Sequence, residues 1–299
     1  MGNDGWLLRS MMFVPGHNEK LLASAKRSSA DALILDIEDS VMPDHNKQVA
    51  RDLIAHKVDS GFFGSLPVFP RINDRESGHL LKDVRSLAIK GVAGFVYPKA
   101  RGGEDIYFFG KLLEAIEYER CFPIGTFKIV PLIETAAAVL NAPDICLASE
   151  RVIAIAYGCE DFIADLGGIC DREKKSLFAP RAMIAMAARA TGVIPIDTVH
   201  IDVHDLDDLE ENVRLARVLG FEGMLVLHPK ELPIVHQHFT PSDEEVEEAN
   251  QMLKLAEEAH SLGKGVAILD GKFIGPPMVI AARKILAKHA LVKQKRVPV

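Results

Sequence analysis

The chain has 299 residues, 48% apolar and 26% charged, the balance of a soluble globular protein with a sizeable core. A formal charge of −7 argues against nucleic acid or an anionic membrane surface as the main partner, leaving open a local basic pocket for a phosphorylated ligand. No stretch approaches the roughly 20 apolar residues of a membrane helix. The N-terminus has no signal-peptide h-region, and Cys121, Cys146, Cys159 and Cys170 form no C-x-x-C pair, so a cytoplasmic protein with reduced thiols is expected.

Apolar or β-branched runs recur at 9–14, 32–37, 66–72, 93–99, 127–134, 151–158, 193–201 and 223–228. Helical spacing fills the gaps at 18–28, 46–58, 78–89, 105–119, 179–190 and 205–220. Continuous apolar strands alternating with helices mean a parallel sheet covered by helices, and eight such units close into a (β/α)8 TIM barrel. No G-x-G-x-x-G or P-loop follows a strand to support an open doubly wound sheet. The barrel is expected over 1–240. A C-terminal helical extension over 241–299 comprises an acidic helix, a Gly-rich turn and a last helix at 278–290. It would pack over the barrel mouth or a neighbouring subunit.

In such a barrel the chemistry sits where strands end and the following loops begin. Asp36, Glu38 and Asp39 close strand two, Arg71 and Asn73 strand three, Lys99 strand four and Glu134 strand five. Glu160, Asp161 and Asp165 follow strand six, Asp197 and Asp202 lie at strand seven, and His228 closes strand eight. Glu134 and Asp161 end adjacent strands. Two carboxylates there share a proton, pair with Arg71 or Lys99, or hold a cation, and oxygen donors suit Mg²⁺ or Mn²⁺ better than zinc. Asp165 could replace Asp161 if the loop turns helical.

Arg71 suits two-point binding of a carboxylate, or else bridges to Glu38 or Asp39. Lys99 reads as a charged lysine rather than a Schiff-base one. His200 and His204 straddle a turn and are not expected to be ligands. His236 and His238 are placed on the surface. The segment at 158–174 is long for a strand-to-helix loop and reads as a lid.

RSMMFVPGHNEKLLASA, ADALILDIEDSV with NKQVAR, PRIN, PLIET, YGCEDFIADLGG and LHPKELPIVHQHFTPSDEEVEEA occur in this order. Together they resemble the citrate lyase β-subunit (CitE-like) family of the HpcH/HpaI aldolase superfamily, over about 9–287. The resemblance implies a (β/α)8 barrel, a homotrimer or multiple of trimers, and an extension that covers a neighbour's active site. It also implies a Mg²⁺-dependent carbon–carbon lyase acting on 3-hydroxy-acyl thioesters such as citryl-, malyl- or citramalyl-CoA. Carried over by motif, Glu134 and Asp161 are metal ligands and Arg71 binds the substrate carboxylate. Phe13 and Lys20 contact the thioester or CoA, Leu227 and His228 lie beside the same ligand, and Glu38 and Asp39 orient Arg71 and metal-bound water.

One departure stands out. The family's C-terminal turn often carries a proton-transferring Asp where this chain reads GKFIGPP, with Gly275 at that position. Asp270 is the one nearby substitute. Two other readings therefore stay open. One is a class II aldolase on a free 2-keto-3-hydroxy acid, for which His45 is the candidate histidine. The other is a catalytically altered ligand-binding homologue.

Overall fold

The computed structural model describes residues 5–169, 174–261, 266–269 and 272–296. The chain forms two compact units, one spanning Leu8–His236 and a second that combines residues 5–7 with the chain from Gln237 onward.

In the first unit eight parallel strands close on themselves in chain order: β1 (Ser10–Pro15), β2 (Ala32–Asp36), β3 (Val68–Arg71), β4 (Gly94–Tyr97), β5 (Lys128–Ile133), β6 (Ala154–Tyr157), β7 (Ile194–Asp197) and β8 (Gly223–Val226). All eight expected runs are strands. Side chains fill the lumen and helices cover the outside, so every residue of β2, β3, β4, β6, β7 and β8 is buried. The register sets Asp36 directly beside Arg71 across β2 and β3, and Ile133 beside Tyr157 across β5 and β6.

The expected helices are present as α1 (Glu19–Lys26), α2 (Asn46–Asp59), α3 (Leu80–Leu87), α4 (Gly103–Glu119), α8 (Lys175–Thr191) and α9 (Leu206–Leu219). Local chemistry fixes their ends. The Asn18 side chain accepts the Leu21 N–H, the Asp205 side chain accepts the Asp208 N–H, and Gly220 ends α9 in the left-handed conformation. Helix α8 starts upstream of the expected 179–190 and carries Pro180 inside it.

Three helices were not anticipated, α5 (Ala136–Leu140), α6 (Ala142–Leu147) and α10 (Leu232–Phe239), and a fourth, α7 (Cys159–Leu166), forms where a helical turn was only one alternative. Helix α7 occupies the first half of the segment read as a lid loop, and Cys170 to Asp171 and beyond, up to residue 173, lie outside the described residues.

Away from the barrel mouth, the described residues of this unit include four buried arginine–carboxylate pairs: Arg9–Asp31, Arg51–Asp83, Arg151–Glu117 and Arg181–Asp197. The second unit contains α11 (Asp243–Ser261), the antiparallel hairpin β9 (Ala267–Leu269) and β10 (Lys272–Ile274), and α12 (Pro276–Arg296). The Gly-rich turn thus holds a small hairpin, and the last helix starts at Pro276, where a proline's fixed φ suits the first helical position. No described helix is long and apolar enough to cross a membrane.

Candidate active site

A pocket of about 420 Å³ opens at the ends of the strands, with Phe13, Arg71, Glu134, Asp161 and Leu227 on its wall. The sequence reading named all five. Asp36 and Glu160, also expected at strand ends, lie on the wall as well, and the structure adds Ser40 and Gly158, together with an apolar surface from Leu21, Leu132, Val199 and Leu225.

Glu134 immediately follows β5 and is 2% exposed. Its Oε2 accepts the backbone N–H of Lys99 at 2.7 Å, and Oε1 accepts no hydrogen bond from the described residues. The backbone of Gly158 closes the other side. A Cβ there would lie 2.5 Å from Glu134 Cγ and 2.8 Å from Oε1, so only glycine admits this carboxylate. Burial, and then the charge of Glu38, pushes the Glu134 carboxyl up to about 8. Asp161, in the first turn of α7, faces the same pocket and has no ion pair or side-chain hydrogen bond among the described residues.

Arg71 is held by three acids. Its Nε and Nη2 each donate to Asp36 at 2.7 Å, a two-point pair that follows from the strand register. Nη1 lies 2.9 Å from Glu38 Oε2 and 3.3 Å from Asp39 Oδ2. The Phe13 ring packs on the guanidinium, with its centroid 5.0 Å from Cζ. Burial opposes the arginine's charge, but Asp36 and then Glu38 outweigh it and raise its pKa. Burial likewise opposes the charge on Asp36, and Arg71 reverses the sign to hold it ionised.

Glu38 is 4% exposed and also touches Lys99 Nζ at 2.9 Å. Burial, only partly offset by Arg71 and Lys99, pushes it up to about 7. Beneath this rim Lys47, itself buried, donates to the Ile37 and Glu38 carbonyls (3.1 and 3.2 Å) and to Asn73 Oδ1.

Several expected positions play other parts. Lys20 is exposed in the first turn of α1 and is not on the pocket wall. His228 is not on it either; its Nδ1 accepts the Lys230 N–H at 3.1 Å and caps the 3-10 turn Pro229–Glu231. Asp165 accepts the Ala136 N–H at 2.8 Å, so that carboxylate supports the start of α5. Asn73 is buried against Asp83, to which both its backbone and side-chain N–H groups donate.

Asp197 faces the helix layer, where Arg181 of α8 pairs with it, and Asp202 sits in an exposed turn. His200 hydrogen-bonds the Asp205 carbonyl at 3.0 Å. His236 was placed on the surface, but its side chain is only 16% exposed and its Nε2 lies 2.8 Å from Ser10 Oγ. Asp270 lies outside the described residues.

The residues fit a hard divalent cation. Among the described residues, an unclaimed oxygen on a buried carboxylate and a second carboxylate without an ion-pair partner face one pocket, and both donors are oxygens. Among the described residues no group of three or more His, Cys, Asp or Glu side chains is arranged to hold a metal. Two protein carboxylates, completed by water and substrate, are the usual Mg²⁺ arrangement.

Comparison with known proteins identifies the family. Citrate lyase subunit beta of Haemophilus influenzae is 31% identical, covering 94% of this chain and 97% of its own. The mitochondrial citramalyl-CoA lyase of Rattus norvegicus is 29% identical, covering 96% of this chain and 87% of its own. A citrate lyase beta subunit from M. tuberculosis, solved with oxaloacetate and magnesium, superposes with a TM-score of 0.64 at 25% identity, covering 81% of this chain and 100% of its own. The model of HpcH/HpaI aldolase/citrate lyase matches residues 9–229, a stretch that contains every strand of the barrel and every acid of its mouth; the chain belongs to that family and is a lyase of it.

Proposed function

We propose that the chain is a Mg²⁺-dependent lyase that breaks or forms the C2–C3 bond of a 3-hydroxy-acyl thioester of the citryl-, malyl- or citramalyl-CoA type. The observation that carries this reading is the state of Glu134: a carboxylate 2% exposed, pushed up to about 8, with one oxygen unclaimed and a second acid facing the same pocket. Such a group is poised for a cation. Glu134 and Asp161 would hold Mg²⁺, which when bound balances the two acids and supplies Lewis acidity toward a keto-acid oxygen.

The remaining residues bind and orient. Arg71 Nη2 spends one N–H on Asp36 and keeps a second for a substrate carboxylate or carbonyl oxygen. Phe13 restrains its swing. Leu21, Leu132, Leu225 and Leu227 keep water from the thioester, and exposed Lys20 offers a charge to the phosphates of CoA. In the cleavage direction the 3-hydroxyl loses its proton, the C2–C3 bond breaks to an α-keto acid and a thioester enolate, and C2 takes up a proton. In the cell the chain would be cytoplasmic and a homotrimer or a multiple of trimers, the latter checked by light scattering.

Gly275 favours a second reading. Among the described residues the nearest atom to a Cβ there is Pro277 Cδ at 3.8 Å, so their packing does not require glycine, and glycine moves no proton. The chain would then bind its ligand and metal without this turnover. A class II aldolase on a free 2-keto-3-hydroxy acid has less support, because His45 stands at the start of α2, past the rim.

The test is a panel of citryl-, malyl- and citramalyl-CoA with Mg²⁺, scored for oxaloacetate, glyoxylate and pyruvate. Release from one thioester supports the lyase. Thioester binding without release supports the second reading, and cleavage only of free acids supports the aldolase.

A further inference from the structure

Lys99 has a backbone conformation that lysine rarely adopts: its φ is +51°, in the left-handed region. Glycine occupies that region at little cost, so a long side chain there points to a use for the side chain. Both ends of the residue meet acids of the site. The backbone N–H donates to Glu134 Oε2 at 2.7 Å, the one hydrogen bond that carboxylate receives among the described residues. The side-chain Nζ reaches Glu38 Oε1 at 2.9 Å, and Glu38 in turn lies 2.9 Å from Arg71 Nη1. Glu134 and Glu38 come from different strand ends, and both are almost fully buried.

We propose that Lys99 is a two-armed positioning residue, whose left-handed backbone aims its amide at Glu134 while its ammonium pins Glu38 against Arg71. The two arms have separate consequences. The amide fixes Oε2, leaving Oε1 for the cation, so it governs metal affinity. The ammonium fixes Glu38 and through it the guanidinium that meets substrate, so it governs turnover more than binding. This inference rests on the reading of Glu134 and Asp161 as metal ligands.

The test uses full-length protein, Mn²⁺ binding followed by electron paramagnetic resonance, and malyl-CoA kinetics. Lys99→Gly keeps the amide and its conformation but loses the ammonium. Mn²⁺ affinity should stay within about 3-fold of the parent while kcat falls about 10-fold or more, with KM little changed. Lys99→Met should lose kcat similarly, and Lys99→Arg should recover most of it. Lys99→Val, which disfavours positive φ, should weaken Mn²⁺ about 10-fold or more.

Full kcat in Lys99→Met and Lys99→Gly, or equal losses in Lys99→Arg, overturns the side-chain arm. Parent-like Mn²⁺ affinity in Lys99→Val, or a large loss in Lys99→Gly, overturns the backbone arm. If Lys99→Val does not fold, Mn²⁺ affinity in Lys99→Gly decides that arm. Glu134→Gln serves as the control. If it binds Mn²⁺ like the parent, the metal assignment has failed rather than the role of Lys99.

Discussion

Glu134→Gln tests the physical state of the site without reference to any substrate. The change is isosteric; it removes the capacity for charge and turns one acceptor oxygen into an NH2 donor. In metal-free folded protein the carboxyl is pushed up to about 8, against 4.5 for the unperturbed group. The folded state therefore keeps a proton that the unfolded state releases above pH 4.5. Stability of the parent falls as pH rises through that window, and the loss is complete once pH passes the folded value. At about 1.4 kcal/mol per pKa unit, the Glu134 share is on the order of 5 kcal/mol at pH 9 and vanishes below pH 4.

Urea unfolding in EDTA from pH 5 to 9 should show the parent losing stability relative to Glu134→Gln across this range. Glu38, pushed up to about 7, contributes a smaller slope of the same sign in both proteins. Saturating Mg²⁺ should restore the parent most at high pH, where the ligand carboxylate needs no deprotonation, and should leave Glu134→Gln nearly unchanged. Parallel stability profiles for the two proteins in EDTA, or equal stabilisation of both by Mg²⁺, would refute the reasoning.

Gly158→Ala should weaken Mg²⁺ binding about 10-fold or more and destabilise by about 1–3 kcal/mol, because the new methyl overlaps Glu134; calorimetric titration and urea melts check it. Arg71→Lys keeps a charge but loses the two-point grip on Asp36. It should cost about 3–5 kcal/mol of stability and most of the turnover, measured by urea melts and steady-state kinetics. Arg181→Met should destabilise by a similar 3–5 kcal/mol, since it strands fully buried Asp197, yet kcat per folded molecule should not change.

The barrel was legible because strands covered on both faces read as unbroken apolar runs, and ALILD of β2 is a plain example. Glu134 was legible for a related reason: a carboxylate that ends such a run cannot escape burial. The pairing of Asp36 with Arg71 was not, because it depends on strand register, which apolar content alone does not specify. Asp197 misled because the last residue of a strand meets the mouth only when side-chain alternation turns it inward, and this one turns toward α8. Helices α5, α6 and α7 run only 5, 6 and 8 residues, too short for a helical period to declare itself. Gly158 was visible in YGCED as a residue but not as a wall, since its role exists only against Glu134.

The bond between Asp36 and Arg71 also bears on how the barrel assembles. Sliding either strand by a single position would turn one partner out toward the helices and leave the other sealed inside with nothing to answer its charge. Misaligned closures of this edge are thereby penalised before any ligand arrives. The same constraint binds the two positions in descent: either can change without harm only in company with the other, so a mutation aimed at chemistry must first satisfy the architecture.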